Sequence, residues 1–440
     1  MGPTREDLLA LYLEHHAWLR RSMDTLLSAQ SLDALVVHAG RPRLRTRFDD
    51  QYWPLRPVPH FQHWLPLVEA DATLVLRPGQ RPRLLRVVER NFWEHPAPLE
   101  HDFWRASFDE ESFADLAALR AALPASAALV AEDDSEAARL GLSLASPATL
   151  KALDQLRTQK SAYEVACLVE ANRIAALGHR AVSSAFLGDQ PGSYSELDLH
   201  LLYLGATSQD DPETPYKNIV ALNEHAATLH HIAYARRPTK RAAESLLLDA
   251  GASFLGYASD ITRTHVRGAV GAFGDLVAGV DALQQRLCVD AGVGRPYEAL
   301  HDQAHVEIGR LLVELGLVRT SIDEAVTTGL TRAFLPHGLG HSLGLQCHDV
   351  GCAELKPRAD NPFLRNTSPI AVGQTFTIEP GVYFVDMLLA PLRQGANAAR
   401  IDWALCDELA TLGGVRIEDD LHIVAGGPAE NLTRAALGDS

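Results

Sequence analysis

The spacing of apolar and polar positions changes character along the chain, and the changes mark its elements. Residues 4–30 read as an amphipathic helix: Thr4 is placed to cap it, Asp7 follows three positions on, and Leu8, Leu9, Leu11 and Tyr12 recur at helical spacing. Four short apolar runs come next, LDALVVHAG (32–40), DATLVLRPG (71–79), PRLLRVV (82–88) and SAALVAED (126–133), each closed by Gly, Pro or an acid and separated by helical stretches. Strands alternating with helices predict an α/β layer over about 1–155. A long helix begins in RTQKSAYEVACLVEANRIAALGHRAV, where Ser161 and Glu164 form an S-x-x-E capping box ahead of Val165, Leu168 and Ala171. Beyond it the runs SLLLDAG (245–251), YASDITRTHV (257–266), QTFTIEPGVYF (374–384) and GGVRIEDDLHIV (413–424) predict strands around a helical region near 272–318. The expected architecture is α/β plus α+β, with domains at 1–159 and 160–440.

The segment RFDDQYWPLRPVPHFQHWLP (47–66) fits neither period, since five aromatics and four prolines crowd it. It reads either as a proline-stiffened loop packed on its own domain or as a loop reaching into a neighbouring site.

Composition narrows the class. A chain of 440 residues exceeds one ordinary core, which agrees with two domains. With 47% apolar and 22% charged residues and no run of eighteen apolar positions, a soluble protein without a membrane span is expected. Arg5, Glu6 and Asp7 stand where a secretory signal needs an apolar core, so the expected location is the cytoplasm. Cys167, Cys288, Cys347, Cys352 and Cys406 are odd in number and lack CxxC spacing, which predicts free thiols. A net charge of −16 opposes binding to nucleic acid or an anionic membrane.

The chemistry lies in charges placed where charge is expensive. Asp249, Asp260, His341, Glu379 and Glu418 each sit in or beside a strand-like apolar run. Asp249 ends SLLLD and Asp260 lies eleven residues on, so a hairpin would bring both carboxylates together. Singly, each acid also reads as a solvated turn or strand-end residue. Four carboxylates sharing one interior would repel and raise one another's pKa values unless cations neutralised them, and two divalent ions carry the matching charge. Oxygen donors with one imidazole suit Mn²⁺, with Co²⁺ or Zn²⁺ as alternatives.

The order of these residues, in LLLDAG, SDITRT, PHGLGHSLGLQCHD, TIEPGVYF and GGVRIEDD, resembles the dinuclear metallopeptidases of the pita-bread fold, and among them the bacterial Xaa-Pro dipeptidases, or prolidases. The resemblance covers essentially the whole chain and implies a creatinase-type α/β domain followed by a pita-bread catalytic domain. It implies that Asp260 and Glu418 bridge two metals, that Asp249 holds one ion, and that His341 and Glu379 hold the other. His348 resembles the imidazole that bonds the substrate and the tetrahedral intermediate. His337 resembles a pocket-lining histidine, or reads as a hydrogen-bonded core histidine. In NEHAATLHH a further active-site histidine is expected at His230, with the doublet His230-His231 leaving the choice open by one place. Arg365 in PFLRNTS resembles the arginine that pairs with the substrate carboxylate, and Arg416 the one that steadies the metal-bound carboxylates; a surface ion pair is the plain alternative for each. Tyr216 and Tyr297 resemble tyrosines lining the site.

The implied reaction is hydrolysis of Xaa-Pro dipeptides by a hydroxide bridging two divalent metals, with Glu379 moving the proton. An Xaa-Pro or methionine aminopeptidase of the same fold is the nearest alternative, and some members of the family hydrolyse organophosphorus triesters as a secondary activity. Relatives of this architecture are usually homodimers in which one chain's N-terminal domain closes the other's site, which places Asp49 or Asp50 near the partner's pocket.

Overall fold

Thr4 caps the first helix, Arg5–Ala29, through reciprocal bonds with Asp7. The computed structural model describes residues 3–88, 101–188, 193–238, 242–268, 271–351, 353 and 355–438; Cys352 lies outside the described residues. The chain forms two compact units, Met1–Ala166 and Cys167–Ser440. The divide falls within the helix Ala162–Leu187, whose capping box forms as Ser161 N–H donates to Glu164 Oε2 (2.8 Å) and Glu164 N–H to Ser161 Oγ (3.4 Å).

The first unit is built on β1 (Leu35–His38), β2 (Thr73–Leu76), β3 (Arg83–Val87), β4 (Asp109–Phe113), β5 (Ala128–Val130) and β6 (Ser143–Leu144), in the order β4-β3-β2-β1-β5-β6. β1 and β2 are buried along their whole length, as continuous apolar runs predict. β4 was not expected. Its sequence, DEESF, has one apolar side chain, Phe113, and β4 pairs in parallel with β3 along its whole length, with Arg83 to Glu111 at 2.8 Å and Arg86 to Glu110 at 2.5 Å across the pair. The aromatic loop divides: Phe61 and Trp64 are buried, whereas Phe48 (83%), Tyr52 (55%) and Trp53 (58%) are exposed.

In the second unit, β7 (Ile219–Leu222), β8 (Ser245–Asp249) and β11 (Thr262–Val266) form one antiparallel sheet, with Asp249 opposite both Ile219 and Thr262. Between β8 and β11 lies a small hairpin, β9 (Ser253–Phe254) with β10 (Tyr257–Ala258), turning through Leu255 and Gly256, both at positive φ. Helices Ala162–Leu187 and Glu196–Thr207 cover this sheet through Val182, Phe186, Leu199 and Tyr203. The helical region expected near 272–318 is two helices, Ala272–Val289 and Tyr297–Glu314, parted at Gly294 and Pro296.

The remaining strands make a bent ribbon. β12 (Thr375–Ile378) pairs with β15 (Asp419–His422), which also pairs with β16 (Glu430–Asn431), and β13 (Gly381–Tyr383) pairs with β14 (Gly414–Arg416). Each of the runs 374–384 and 413–424 is therefore two strands instead of one. Pro380 has no N–H to give to the ladder, so pairing breaks at Glu379-Pro380 opposite Ile417-Glu418, and both acids sit in the bend. A bridge between Thr262 and Glu418 joins this ribbon to the sheet of β8 and β11.

Gly340 allows the closest approach in this region. A Cβ there would overlap the Thr377 carbonyl oxygen and the Tyr297 hydroxyl. Gly340→Ala is expected to destabilise the protein by about 1–3 kcal/mol. Thermal unfolding reads this as a lowered Tm, and an unchanged Tm would show that the contact has slack.

Candidate active site

Every acidic candidate sits where a strand stops. Asp249 closes β8, Asp260 lies just before β11, and Glu379 and Glu418 occupy the bend of the ribbon. Backbone bonds fix each break: Ala250 N–H to Ile261 O (3.0 Å), Glu379 N–H to Leu339 O (2.8 Å) and Glu418 N–H to Thr262 O (3.1 Å). His341 is held against β12 by Thr377, whose N–H donates to the His341 carbonyl (2.9 Å) and whose hydroxyl accepts the His341 N–H (3.2 Å). Its Nε2 lies 3.4 Å from Asp260 Oδ2 and 3.7 Å from Glu379 Oε1. Asp260, His341 and Glu418, all buried, each offer a donor atom within 4.8 Å of the others.

The residues fit a cation. Asp249, Asp260 and Glu418 are 7%, 4% and 2% exposed, and Arg416 and His341 are the cationic partners given to the cluster. Burial, reinforced by Asp260, Glu379 and Asp249, raises the Glu418 carboxyl well above its usual range. Burial also raises Glu379, to about 7, against the pull of His341 and Arg416. Asp249 is raised by burial, and its Oδ1 has no hydrogen-bond partner. His341 is poised for the role: its Nδ1–H donates to the Ser342 carbonyl (3.1 Å), which leaves Nε2 as the donor facing the carboxylates. Burial opposes charge on His341, but the Asp260 bond and the field of Glu379 outweigh it and lift its pKa to about 9.

Around these donors stands a ring of supporting bonds. Arg416, 4% exposed, gives one Nη to Asp249 Oδ2, the other to the Tyr383 hydroxyl (2.9 Å) and its Nε to Thr262 Oγ1 (3.1 Å). Thr262 passes its own proton to Glu418 Oε2 at 2.6 Å. His337 Nδ1–H donates to the Gly338 carbonyl (2.8 Å), so its Nε2 accepts from Tyr383 (2.9 Å) and the relay runs Arg416 to Tyr383 to His337. Burial and then Arg416 push His337 down to about 3, so it is a neutral imidazole at the edge of the cluster, 3.9 Å from Glu379. The Tyr216 hydroxyl donates to Asp260 Oδ1 at 2.5 Å.

The other expected residues are placed as follows. The His348 ring stands perpendicular to that of His341, 4.4 Å away between centroids; loss of hydration, then His341 and Arg365, hold its pKa down at about 4. His231 is committed to the buried Glu196 (2.9 Å), while His230 is the exposed member of the doublet and lies within electrostatic reach of His337 and His348. Arg365 is exposed and makes no ion pair among the described residues. Tyr297 differs from its expected role. It is 1% exposed, stands edge-on to Phe376 and donates to the Thr377 carbonyl (2.9 Å), so it supports the His341 segment from the core instead of lining the site. Asp49 belongs to the first unit, where its exposed carboxylate accepts the Gln51 N–H at 3.3 Å.

Four residues of the site carried no signal in the sequence reading. Tyr383 reads as an ordinary strand aromatic. Asp420 reads as surface acid beside Asp419, yet it is fully buried and accepts from the Asp260 N–H (3.1 Å) and Asn172 (2.8 Å). Glu196, also fully buried, accepts from the Leu222 N–H (3.0 Å), the Ala235 N–H (2.7 Å), His225 (2.6 Å) and His231, and so shapes the loop that carries His230. Cys347 places Sγ 3.1 Å from Asp260 Oδ2; only the histidine that follows it in QCHD hints at the neighbourhood.

Residues 166–425 match metallopeptidase family M24, and residues 10–157 match the N-terminal domain of Xaa-Pro dipeptidase. The Xaa-Pro dipeptidase of Aeromonas hydrophila is 40% identical over 440 residues, covering 97% of this chain and 98% of the relative. That of Pseudoalteromonas haloplanktis is 39% identical over 447 residues, covering 99% and 100%. Among solved structures, proline aminopeptidase P II from Yersinia pestis superposes with a TM-score of 0.72 at 22% identity, over 97% of this chain and 96% of that one. Aminopeptidase PepP of Pseudomonas aeruginosa gives 0.71 at 22% identity, over 98% and 96%. These structural likenesses show the fold, an α/β N-terminal domain followed by a pita-bread domain. With a cluster of side chains able to hold a metal ion and near-full-length likeness in sequence, the chain is a hydrolase that belongs to metallopeptidase family M24, within its Xaa-Pro dipeptidase branch.

Proposed function

We propose that the protein hydrolyses Xaa-Pro dipeptides with two divalent ions, most suitably Mn²⁺, held by Asp249, Asp260, His341, Glu379 and Glu418, with Asp260 and Glu418 shared between them. The observation that carries this reading is the excess of buried carboxylates at the strand breaks, one of them, Asp249, with an unpartnered oxygen. The names of the near-full-length relatives supply the substrate class. Bound there, the ions would polarise the scissile carbonyl and lower the pKa of the attacking water.

The chain's own groups do the rest. Glu379 takes the proton of the attacking water and passes it to the proline nitrogen as the bond breaks. His348, a neutral imidazole, donates to the oxygen that gains charge, and His230 flanks it. Arg416 fixes Asp249 directly and His337 through Tyr383, so the acids keep their directions as charge moves. Tyr216 fixes Asp260 in the same way. Asp249 also orients the free amine of the substrate. Arg365, whose charge is felt at His348 and which makes no ion pair among the described residues, receives the proline carboxylate in this reading. An organophosphorus triester offers phosphorus to the same attacking water, and a side activity on such esters belongs to this reading. So do a cytoplasmic location and a homodimer in which the exposed aromatics of loop 47–66, with Asp49, close the partner's site.

Three outcomes test the proposal. Elemental analysis after Mn²⁺ loading should find about two ions per chain. Chelation should abolish activity, Mn²⁺ should restore it, and Asp260→Asn or Glu418→Gln should lower the bound ion count at both positions together; full activity of either variant at saturating metal would sink the assignment. For the substrate, kcat/KM on Ala-Pro should exceed that on Ala-Pro-Ala at least tenfold, since the tripeptide offers Arg365 no anion, a charge-assisted hydrogen bond is worth about 1.5–3 kcal/mol and about 1.4 kcal/mol is a decade. Arg365→Ala should damage dipeptide cleavage far more than tripeptide cleavage, and equal efficiency of the parent on both would select an aminopeptidase instead. For assembly, light scattering should give a dimer mass at assay concentration, and a monomer with undiminished turnover contradicts the shared site.

A further inference from the structure

The thiol of Cys347 has no task in the reaction just described, yet it lies against the cluster. Its Sγ is 3.1 Å from Oδ2 of Asp260, the oxygen that also faces His341 Nε2 at 3.4 Å. Cys347, His341 and His348 each offer a donor atom within 4.8 Å of the others, a group of one sulfur and two imidazoles beside the oxygen donors. Among the described residues no other thiol joins such a group, and Cys167, Cys288 and Cys406 are all buried elsewhere. Independently, Asp249 Oδ1 is buried without a partner, which marks the same cluster as short of a cation.

The S–H of Cys347 points to an acceptor that is itself a ligand candidate. A cation that takes Asp260 Oδ2 takes the lone pairs to which the thiol donates, and the sulfur then sits beside the cation with electron pairs of its own. Hard ions such as Mn²⁺ gain little from sulfur, whereas Co²⁺, Zn²⁺ and Cd²⁺ gain much.

Resting on the two-ion reading above, we propose that Cys347 is an additional donor to the ion held by His341, and that it shifts the selectivity of that position toward thiophilic divalent ions relative to the same site without the thiol. On coordination the S–H bond breaks heterolytically: the electron pair stays on sulfur and enters the sulfur–metal bond, and the proton leaves to solvent. No oxidant or reductant is involved.

Metal-stripped whole protein, titrated with Co²⁺ alone, tests this. Absorption should show a sulfur-to-cobalt charge-transfer band in the near ultraviolet, and elemental analysis of the dialysed sample should count the bound Co²⁺. The band should vanish in both Cys347→Val and Cys347→Ser, the serine variant serving if valine disturbs folding. In competition, the parent's preference for Cd²⁺ over Mn²⁺ should exceed that of either variant by at least about tenfold. Two bound Co²⁺ with no charge-transfer band in the parent would overturn the thiol donor while leaving the two-ion reading intact. Absence of bound Co²⁺ would overturn the two-ion reading, and this proposal with it. A band that persists in both variants would belong to another cysteine and would also overturn it.

Discussion

Four carboxylates share one interior, and the rest of the catalytic unit is arranged around that repulsion. A buried charge without compensation is among the costliest features a fold can hold. The chain meets it with partial compensation on two sides: Arg416 against Asp249, and His341 against Asp260 and Glu379. Hydroxyls from Tyr216 and Thr262 hold Asp260 Oδ1 and Glu418 Oε2 in place. The compensation is incomplete, since Glu418 is pushed upward by burial, Asp260 and Glu379, and Glu379 by burial with Asp260 and Asp249. That shortfall of positive charge is what selects a cation.

The strand breaks follow from the same constraint. A carboxylate in the middle of a paired strand would face the apolar layer on one side of the sheet, whereas at a break the backbone can turn it toward its neighbours. Pro380 enforces one break chemically, because it accepts the Ile417 N–H (3.4 Å) but has no N–H to return, and Glu418 faces Glu379 across the bend. The Thr262 to Glu418 bridge then locks the ribbon to the sheet carrying Asp249 and Asp260, so donors from two sheets converge on one point. Gly340 belongs to this scheme: the His341 segment can lie close to β12 only because no side chain intervenes.

What the sequence disclosed was the set of charges placed at a cost. Asp249, Asp260, His341, Glu379 and Glu418 stand out because each interrupts an apolar run, and the antiparallel return that brings Asp260 to Asp249 could be read from SLLLDAG, although the turn itself lies further on, at Leu255-Gly256. Asp420 and Glu196 escaped notice for the opposite reason. Acids beside acids or at helix starts are ordinarily solvated, and only the fold reveals that both are buried, Glu196 with donors on each oxygen and Asp420 with donors on Oδ2 alone. β4 escaped because four of its five residues are polar and its cross-strand partners include charges. Tyr297 shows the converse: a motif places an aromatic near a site, but only packing tells whether it faces the substrate or holds the strand behind it.

The two sides of the cluster differ in what a cation must displace. On the Asp249 side the resident charge is a guanidinium, which stays charged at any ordinary pH and cannot withdraw its proton. Arg416 therefore remains as a fixed brace, and its bonds to Tyr383 and Thr262 keep it from following the ion. On the Asp260 side the resident charge is a proton on His341, favoured there by the carboxylates it faces. Its Nδ1–H is already tied to the Ser342 carbonyl, so the proton that yields is the one on Nε2, at the position where an ion would bind. On that side the imidazole can exchange a proton for an ion at a single nitrogen, while on the other Asp249 is held by an arginine that three bonds tie in place.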